Sequence, residues 1–393
     1  MKAVVKLYDA KTIATFVWPD SETARLAKGY WLPMMHSGSS AAFVDNVETQ
    51  LLLLSVDDVV LPVTVNSQAY ENSYVCSFYS HYITYAKDEL TTLQFPLLER
   101  LLALLIAGVG RLLKGTKINR AVIVNNWMLS TNLYPALSIP QLDAITEHLR
   151  AVFPSHAIAF RSINTVTEAA IGQSLQSLGY QMVGSRQVYL FDPQSPELDE
   201  ARSRRKKRYL HQDRRLFATQ GYEVIDAKDL QPVDLPRLIE LYNALYLHKY
   251  SFNNPQFNLS CLALMSRRDS LHPPFLTLKA LRQAGKIDAI VGFYTLNGVM
   301  TTPLLGYDTR LPKNTGLYRM LTACLIEASE QQNLLINQSS GAASFKWRRG
   351  FTGHIEYTAV FHRHLSFYRR LGWWLLAGLV DWVAIPLMKK YKL

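Results

Sequence analysis

Residues 301–350 read TTPLLGYDTRLPKNTGLYRMLTACLIEASEQQNLLINQSSGAASFKWRRG. An apolar strand closes at Leu305-Gly306-Tyr307-Asp308. A polar, basic loop follows from Thr309 to Thr315. Gly316 then opens an amphipathic helix over Leu317–Gln331, and Asn333–Asn337 reads as a buried strand. A helix that begins this way leaves its first N–H groups without intrahelical partners, and its dipole favours negative charge there. Such a terminus suits a phosphate or pyrophosphate. Arg310, Lys313 and Arg319 add positive charge nearby. Taken alone, the segment is as readily an ordinary loop with solvated bases.

Working outward, Phe275–Ala280 and Ala289–Leu296 read as strands joined through a turn at Ala284-Gly285. Asn297-Gly298 is a hairpin signal, and Val299–Leu305 is the returning strand. Upstream lie two helices, Arg202–Thr219 and Leu235–His248. The first half also alternates. Val59–Val65, Ala121–Asn126, Ala157–Phe160 and Gln187–Phe191 read as strands, and Phe95–Lys114, Gln141–Phe153 and Thr167–Leu178 as helices. Alternation of this kind implies an α/β fold. FDPQSPELDEA, Phe191 to Ala201, has two prolines, three acids and no periodicity, and reads as a linker. We therefore expect an N-terminal lobe over 1–195 and a C-terminal lobe over 196–393.

The order strand, loop, helix, strand, followed by Ser344-Phe345-Lys346-Trp347-Arg348-Arg349-Gly350-Phe351, resembles the catalytic lobe of FemAB-like members of the GNAT acyltransferase superfamily. Gly316-Leu317-Tyr318-Arg319 and Phe345-Lys346 with Gly350-Phe351 stand where that family carries its helix start and its FK–x–x–G–F-like motif. The basic helix RSRRKKRYLHQDRR, Arg202–Arg215, looks like the family's basic helix. The resemblance covers roughly Arg202–Tyr357. It implies two GNAT-like α/β lobes, with mixed central sheets flanked by helices, meeting at a cleft. The activity implied is acyl transfer from a thioester donor, acyl-CoA or an acyl carrier protein, to the amine of a small molecule or amino-acid-like acceptor. The family's acyl-CoA loop is reduced here to Lys313-Asn314-Thr315-Gly316, which keeps aminoacyl-tRNA open as donor. It also keeps open a non-catalytic binding or membrane-surface protein.

Amine acylation requires donors for a tetrahedral oxyanion and a group that accepts the amine's proton. The resemblance puts the donor at Leu305, Gly306, Arg310, Lys313–Arg319 (Lys313, Asn314, Thr315, Gly316, Leu317, Tyr318 and Arg319), Phe345 and Lys346. Backbone N–H groups near Leu305–Tyr307 are the oxyanion candidates. Tyr307, Asp308, His354 and Glu356 are the proton-transfer candidates, and His354 and Glu356 share one face if His354–Val360 is a strand. In the first lobe, Tyr70–Leu90 crowds tyrosines, Tyr74 and Tyr79 among them, with Ser73, His81 and Glu89. Asn126 and Trp127, like Arg161 and Asn164, follow buried strands, where polar side chains often line a site. We expect these residues to form an acceptor wall, although Asn and Ser also cap loops.

Across 393 residues, 49% hydrophobic and 19% charged composition excludes extended disorder. A net charge of +11 favours anionic partners. Cys76, Cys261 and Cys324 form neither a redox pair nor a zinc spacing, and no metal is expected. With no apolar leader in MKAVVKLYDAKT, the expected location is cytoplasmic. Leu371–Met388, LGWWLLAGLVDWVAIPLM, is apolar, carries Asp381 and is flanked by Arg369, Arg370, Lys389 and Lys390. It reads as a helix packed on its lobe, with peripheral attachment to the inner membrane face as the other reading.

Overall fold

A computed structural model describes residues 3–90, 96–195, 200–267 and 274–391. The strands are β1 (Val5–Tyr8), β2 (Gln50–Val56), β3 (Val59–Asn66), β4 (Ala121–Val124), β5 (Ala157–Asn164), β6 (Gln181–Phe191), β7 (Glu223–Asp226), β8 (Thr277–Gln283), β9 (Lys286–Leu296), β10 (Val299–Tyr307), β11 (Leu335–Asn337) and β12 (Thr352–Phe361). They form one mixed sheet in the order β1-β2-β3-β4-β5-β12-β6-β11-β10-β9-β8-β7. Helices cover it on both faces, and the fold is mixed α/β.

The order contains the same arrangement twice. β1 to β4 are antiparallel, then β4 runs parallel to β5 across the helix Ile139–Val152. β7 to β10 are antiparallel, then β10 runs parallel to β11 across the helix Leu317–Gln332. A parallel pair needs such a crossover, because its connection must travel the length of the sheet. The sequence suggested two separate sheets. They are fused because β12, from the second half of the chain, lies between β5 and β6 of the first.

The turns follow local chemistry. Asn297 and Gly298 both take positive φ, 53° and 76°, as the tight β9–β10 hairpin requires. Several elements extend beyond their sequence signals, β5 on to Asn164 and β9 back to Lys286 among them. β6 starts at Gln181 rather than Gln187, because Ser185-Arg186-Gln187 interrupts its apolar pattern. β10 runs on to Tyr307. The C-terminal helix starts at Phe367 and continues to Tyr391 through a π-helical turn at Val380–Ala384. Of the expected linker, 196–199 lies outside the described residues, as do residue 95 and the side chain of Glu89; a helix begins at Glu200.

Candidate functional site

Most residues expected on the donor side gather at the C-terminal end of β10. β10 pairs with β11 only from Val299 to Thr301, against Leu335 to Asn337. Its register with β9 shifts between Thr301 and Leu304, a bulge that bends the strand. β10 continues to Tyr307, so its upper edge has parted from β11. Gly306 makes this path feasible: a Cβ there would sit 2.5 Å from the Leu241 carbonyl carbon and Tyr242 nitrogen, in the helix Leu235–Leu245. Beside the parted edge, Lys313–Thr315 forms a 3-10 turn and Gly316 caps the helix at φ 77° with no side-chain cap. The helix N-terminus is therefore bare of capping side chains. Leu216 presses on Gly316 from the basic helix Glu200–Gln220, 2.7 Å from where a Cβ would be.

The flanking charges divide into two groups. Asp308 is buried and takes hydrogen bonds from Arg310 (Nε, 2.8 Å) and Arg237 (2.9 Å), with Lys286 3.6 Å away. Its bonds to Arg310 lower its pKa, so it stays ionised as a clasp at the end of β10. Arg310 also reaches Glu240. Arg319 donates to Asp213 at 2.7 Å and Arg349 donates to the same carboxylate, which ties the basic helix to the motif helix Ala343–Trp347. Lys313 and Asn314 stay exposed at the turn.

Lys346 does something the motif does not announce. It is buried, and its Nζ donates to the carbonyls of Gln338 (2.7 Å), Ser340 (2.9 Å) and Ser339 (3.2 Å). Burial, with the charge of Arg186, lowers its pKa well below the usual lysine range. These carbonyls belong to the loop after β11, where Ser339, Gly341 and Ala342 all have positive φ. Lys346 thus pins a strained loop beside the parted strands. Phe345 packs on Tyr318 (centroids 4.7 Å apart) and carries the Arg349 guanidinium on its face at 3.5 Å.

A lane of tyrosines leads from this end to the first lobe. Tyr318 lies 6.3 Å from Tyr307, whose hydroxyl accepts from Lys249 Nζ at 3.2 Å. Lys249 and Tyr246 sit in a π-helical turn, Tyr246–Tyr250, an irregularity that often marks a working site. Tyr246 stacks on Tyr242, centroids 4.9 Å apart, and burial, with smaller effects of Tyr250, Tyr74, Arg186 and Tyr307, raises its pKa. Tyr74 then packs against Tyr85 and His81, both at 5.7 Å, and lies under the Arg161 guanidinium at 5.9 Å. His81, in a second π-helical turn, bonds Ser185 at 2.9 Å. Burial and the two arginines lower it to about 3, so it is neutral at physiological pH.

The lane ends on an ion pair. Arg186 Nε lies 2.9 Å from Glu356 Oε1, with side-chain exposures of 14% and 2%. The two residues face each other across β6 and β12. Arg186 also donates to the Ser130 carbonyl (2.6 Å) and the Thr131 hydroxyl (2.9 Å). Burial works against its charge, but Glu356 outweighs that and raises its pKa. Arg161 is held by the carbonyls of Val75 (3.0 Å) and Leu129 and by Asn126 Oδ1.

The sequence candidates thus separate. Tyr307, Tyr74, His81, Arg161 and Glu356 converge, with Asn126 bracing Arg161. Trp127 is core, stacked with Tyr30 and donating to Asn125. Asn164 caps the Val166-Thr167 turn and bonds buried Glu168. Tyr79 packs on Tyr70 and Lys114. His354 bonds Thr352 and lines a shallow hollow of about 250 Å³ with Lys389, away from the Arg186 cluster. Cys76 is buried and its thiol is pushed up to about 12, which removes it as a nucleophile. Arg186, Tyr246 and Lys249 were missed. The signal for Arg186 was in the sequence: a charged residue interrupting an otherwise apolar strand.

Several solved structures resemble this chain over part of its fold. L-PGS from Bacillus licheniformis matches over 60% of this chain and 77% of its own, at 15% identity and a TM-score of 0.42. FemX matches over 57% and 78%, at 8% identity and 0.42. A conserved protein of unknown function from Bacteroides thetaiotaomicron matches over 91% and 100%, at 15% identity and 0.46. No family model and no curated protein matches the sequence.

Proposed function

We propose that this chain is an acyltransferase that moves an acyl group from an activated carrier to an amine. The observation that carries the reading is the parting of β10 from β11 beside the glycine-capped helix, joined by the tyrosine lane to Arg186 and Glu356. The free helix N-terminus and Lys313 receive the carrier's phosphates. The parted edge of β10 takes the acyl chain and supplies N–H groups for the oxyanion. The amine nitrogen attacks the carbonyl carbon, the carbon–sulfur or carbon–oxygen bond to the carrier breaks, and the carrier leaves as thiol or alcohol. The attacking nitrogen must lose a proton, which passes to water, and the leaving atom must gain one. Asp308, clasped by two arginines, is a poor acceptor. Glu356 is the carboxylate at the end of the lane and is assigned to orient the acceptor's amine; the Tyr307–Lys249 pair is assigned to the leaving atom.

A thioester donor, acyl-CoA or an acyl carrier protein, and a small-molecule or amino-acid-like acceptor form the leading reading. One observation favours a larger carrier such as aminoacyl-tRNA. The helix Glu200–Gln220 exposes Arg204, Arg205, Lys207, Arg208, Arg214 and Arg215 and flanks the donor turn through Leu216. Such a face meets a polyanion larger than a single nucleotide.

The test is a thermal-shift screen with coenzyme A, several acyl-CoAs, acyl-loaded carrier protein and aminoacyl-tRNA, run beside Gly316→Trp. A ligand that binds only the folded state raises its stability. A shift with one donor class, lost in the variant, supports the assignment and names the carrier. No shift with any donor overturns it in favour of a non-catalytic binding protein.

A further inference from the structure

We propose that the outer face of the C-terminal helix, together with a basic hollow at its start, is a docking site for a bilayer surface that contains anionic phospholipid. The proposal is independent of the transfer chemistry. The segment Phe367–Lys390 has a mean hydropathy of 1.6 and only 28% of its apolar window is buried. Its inner face is fully engaged. Gly372 packs on Thr116, Trp373, Leu376 and Val380 enter the core, and Val380 and Ile385 close over Gly184 of β6. The helix therefore lies along the protein on this side.

Its outer face is apolar. Trp382 is 84% exposed and Phe367 69%, with Trp374, Leu375, Leu379 and Leu387 between 37% and 44%. The helix Pro96–Gly115 covers the same core cluster through Leu113, and it too exposes apolar residues, Leu104 (71%) and Leu105. Tryptophan and leucine exposed along one helix face exceed the scattered apolar exposure of an ordinary surface. Bases surround the ridge: Arg111 and Lys114 on one helix, Lys389 and Lys390 at the end of the other. Asp381 is the acid within it and is exposed, which an interfacial position tolerates and a bilayer core does not.

The hollow supplies the headgroup chemistry. It encloses about 430 Å³ and is lined by Gln181, His362, Arg363, Arg370 and Trp374 among others. Arg370 stacks on Trp374 at 4.7 Å, and its buried Nε has no hydrogen-bond partner. His362 is 4% exposed; its Nε2 lies 2.7 Å from Gln181 Oε1, while its Nδ1 has no partner. Burial and Arg370 hold this histidine at about 4, so it is neutral at pH 7 and its free nitrogen is an acceptor. Unpaired buried polar atoms are uncommon and call for an occupant. Two guanidinium groups fit a phosphate, and the acceptor fits a headgroup hydroxyl or water. Trp374 belongs to both the hollow and the ridge, so a phosphate in the hollow puts its acyl chains against the apolar helix.

The experiment is co-sedimentation of the full chain with phosphatidylcholine vesicles, with and without phosphatidic acid, while following tryptophan fluorescence. We expect binding and a blue shift only with phosphatidic acid. Leu379→Asp/Trp382→Asp and Arg363→Glu/Arg370→Glu should each lower binding roughly tenfold or more, with thermal midpoints near that of the parent. Three results overturn the proposal: equal binding to neutral vesicles, stabilisation by inorganic phosphate without vesicle binding, or a dimer in lipid-free solution that Leu379→Asp/Trp382→Asp dissolves. If the double variants themselves unfold, quenching of the parent's fluorescence by brominated lipid decides; its absence refutes docking.

Discussion

Replacing Arg186 by Met removes the guanidinium and keeps the volume. Glu356, 2% exposed, then holds a buried carboxylate without its cation, and the Ser130 carbonyl and Thr131 hydroxyl lose a shared donor. Breaking a buried pair from one side costs about 3–5 kcal/mol, far above the 0–1 kcal/mol of an exposed pair. Removing both charges, as Arg186→Met/Glu356→Leu, should recover most of that loss, because no charge is then left stranded. The assay is urea unfolding followed by circular dichroism on the parent, both single variants and the double variant. The expected pattern is two costly singles and a mild double, with transferase activity absent from all three. If Arg186→Met costs less than about 1 kcal/mol, the pair is screened by water and is not the closed end of a lane. If the double variant is as unstable as the single, the pair is not the cause. If the double variant transfers acyl groups at the parental rate, the site assignment fails.

Gly306→Ala should destabilise the fold by about 1–3 kcal/mol, since its Cβ would meet the Leu241–Tyr242 backbone at 2.5 Å; a neutral thermal midpoint would mean the helix is not seated there. Gly316→Ala places a side chain at φ 77° and should cost about 1 kcal/mol or more while weakening donor binding, read by denaturation and by donor-induced thermal shift. Glu168 is buried and its carboxyl is raised to about 8 from 4.5. Between those values the folded protein holds a proton that the unfolded chain has released, so this group's contribution to stability falls as pH rises through the window. Glu168→Gln should flatten that slope in denaturation measured from pH 5 to 8, and an unchanged slope would refute it.

The legible parts were those with local causes. Asn297-Gly298 specified its hairpin because few residues tolerate positive φ twice in succession. The turn at Lys313–Gly316 was legible as structure because strand, polar loop, glycine and amphipathic helix are consecutive. The acceptor side was only half legible. Asn126, Trp127 and Asn164 all follow buried strands, but one braces an arginine, one is core and one caps a turn. Position after a strand does not say which way a side chain points once the next loop is packed. Lys346 read as a donor-binding lysine, yet it pins the loop at Gln338–Ser340, a role fixed by a turn eight residues earlier in the chain.

The sequence by itself determined the α/β alternation, the turn and helix that follow β10 and the excess of positive charge, since periodicity, turn chemistry and charge are properties of neighbouring residues. The tertiary structure alone decided that β12 threads between β5 and β6, and with that the pairing of Glu356 with Arg186, 170 residues away. It also decided that Asp308 is clasped by Arg310 and Arg237 and Glu356 by Arg186, and that the apolar C-terminal helix buries one side and exposes the other. Those outcomes depend on which surfaces remain after distant strands have paired, and no local pattern encodes that.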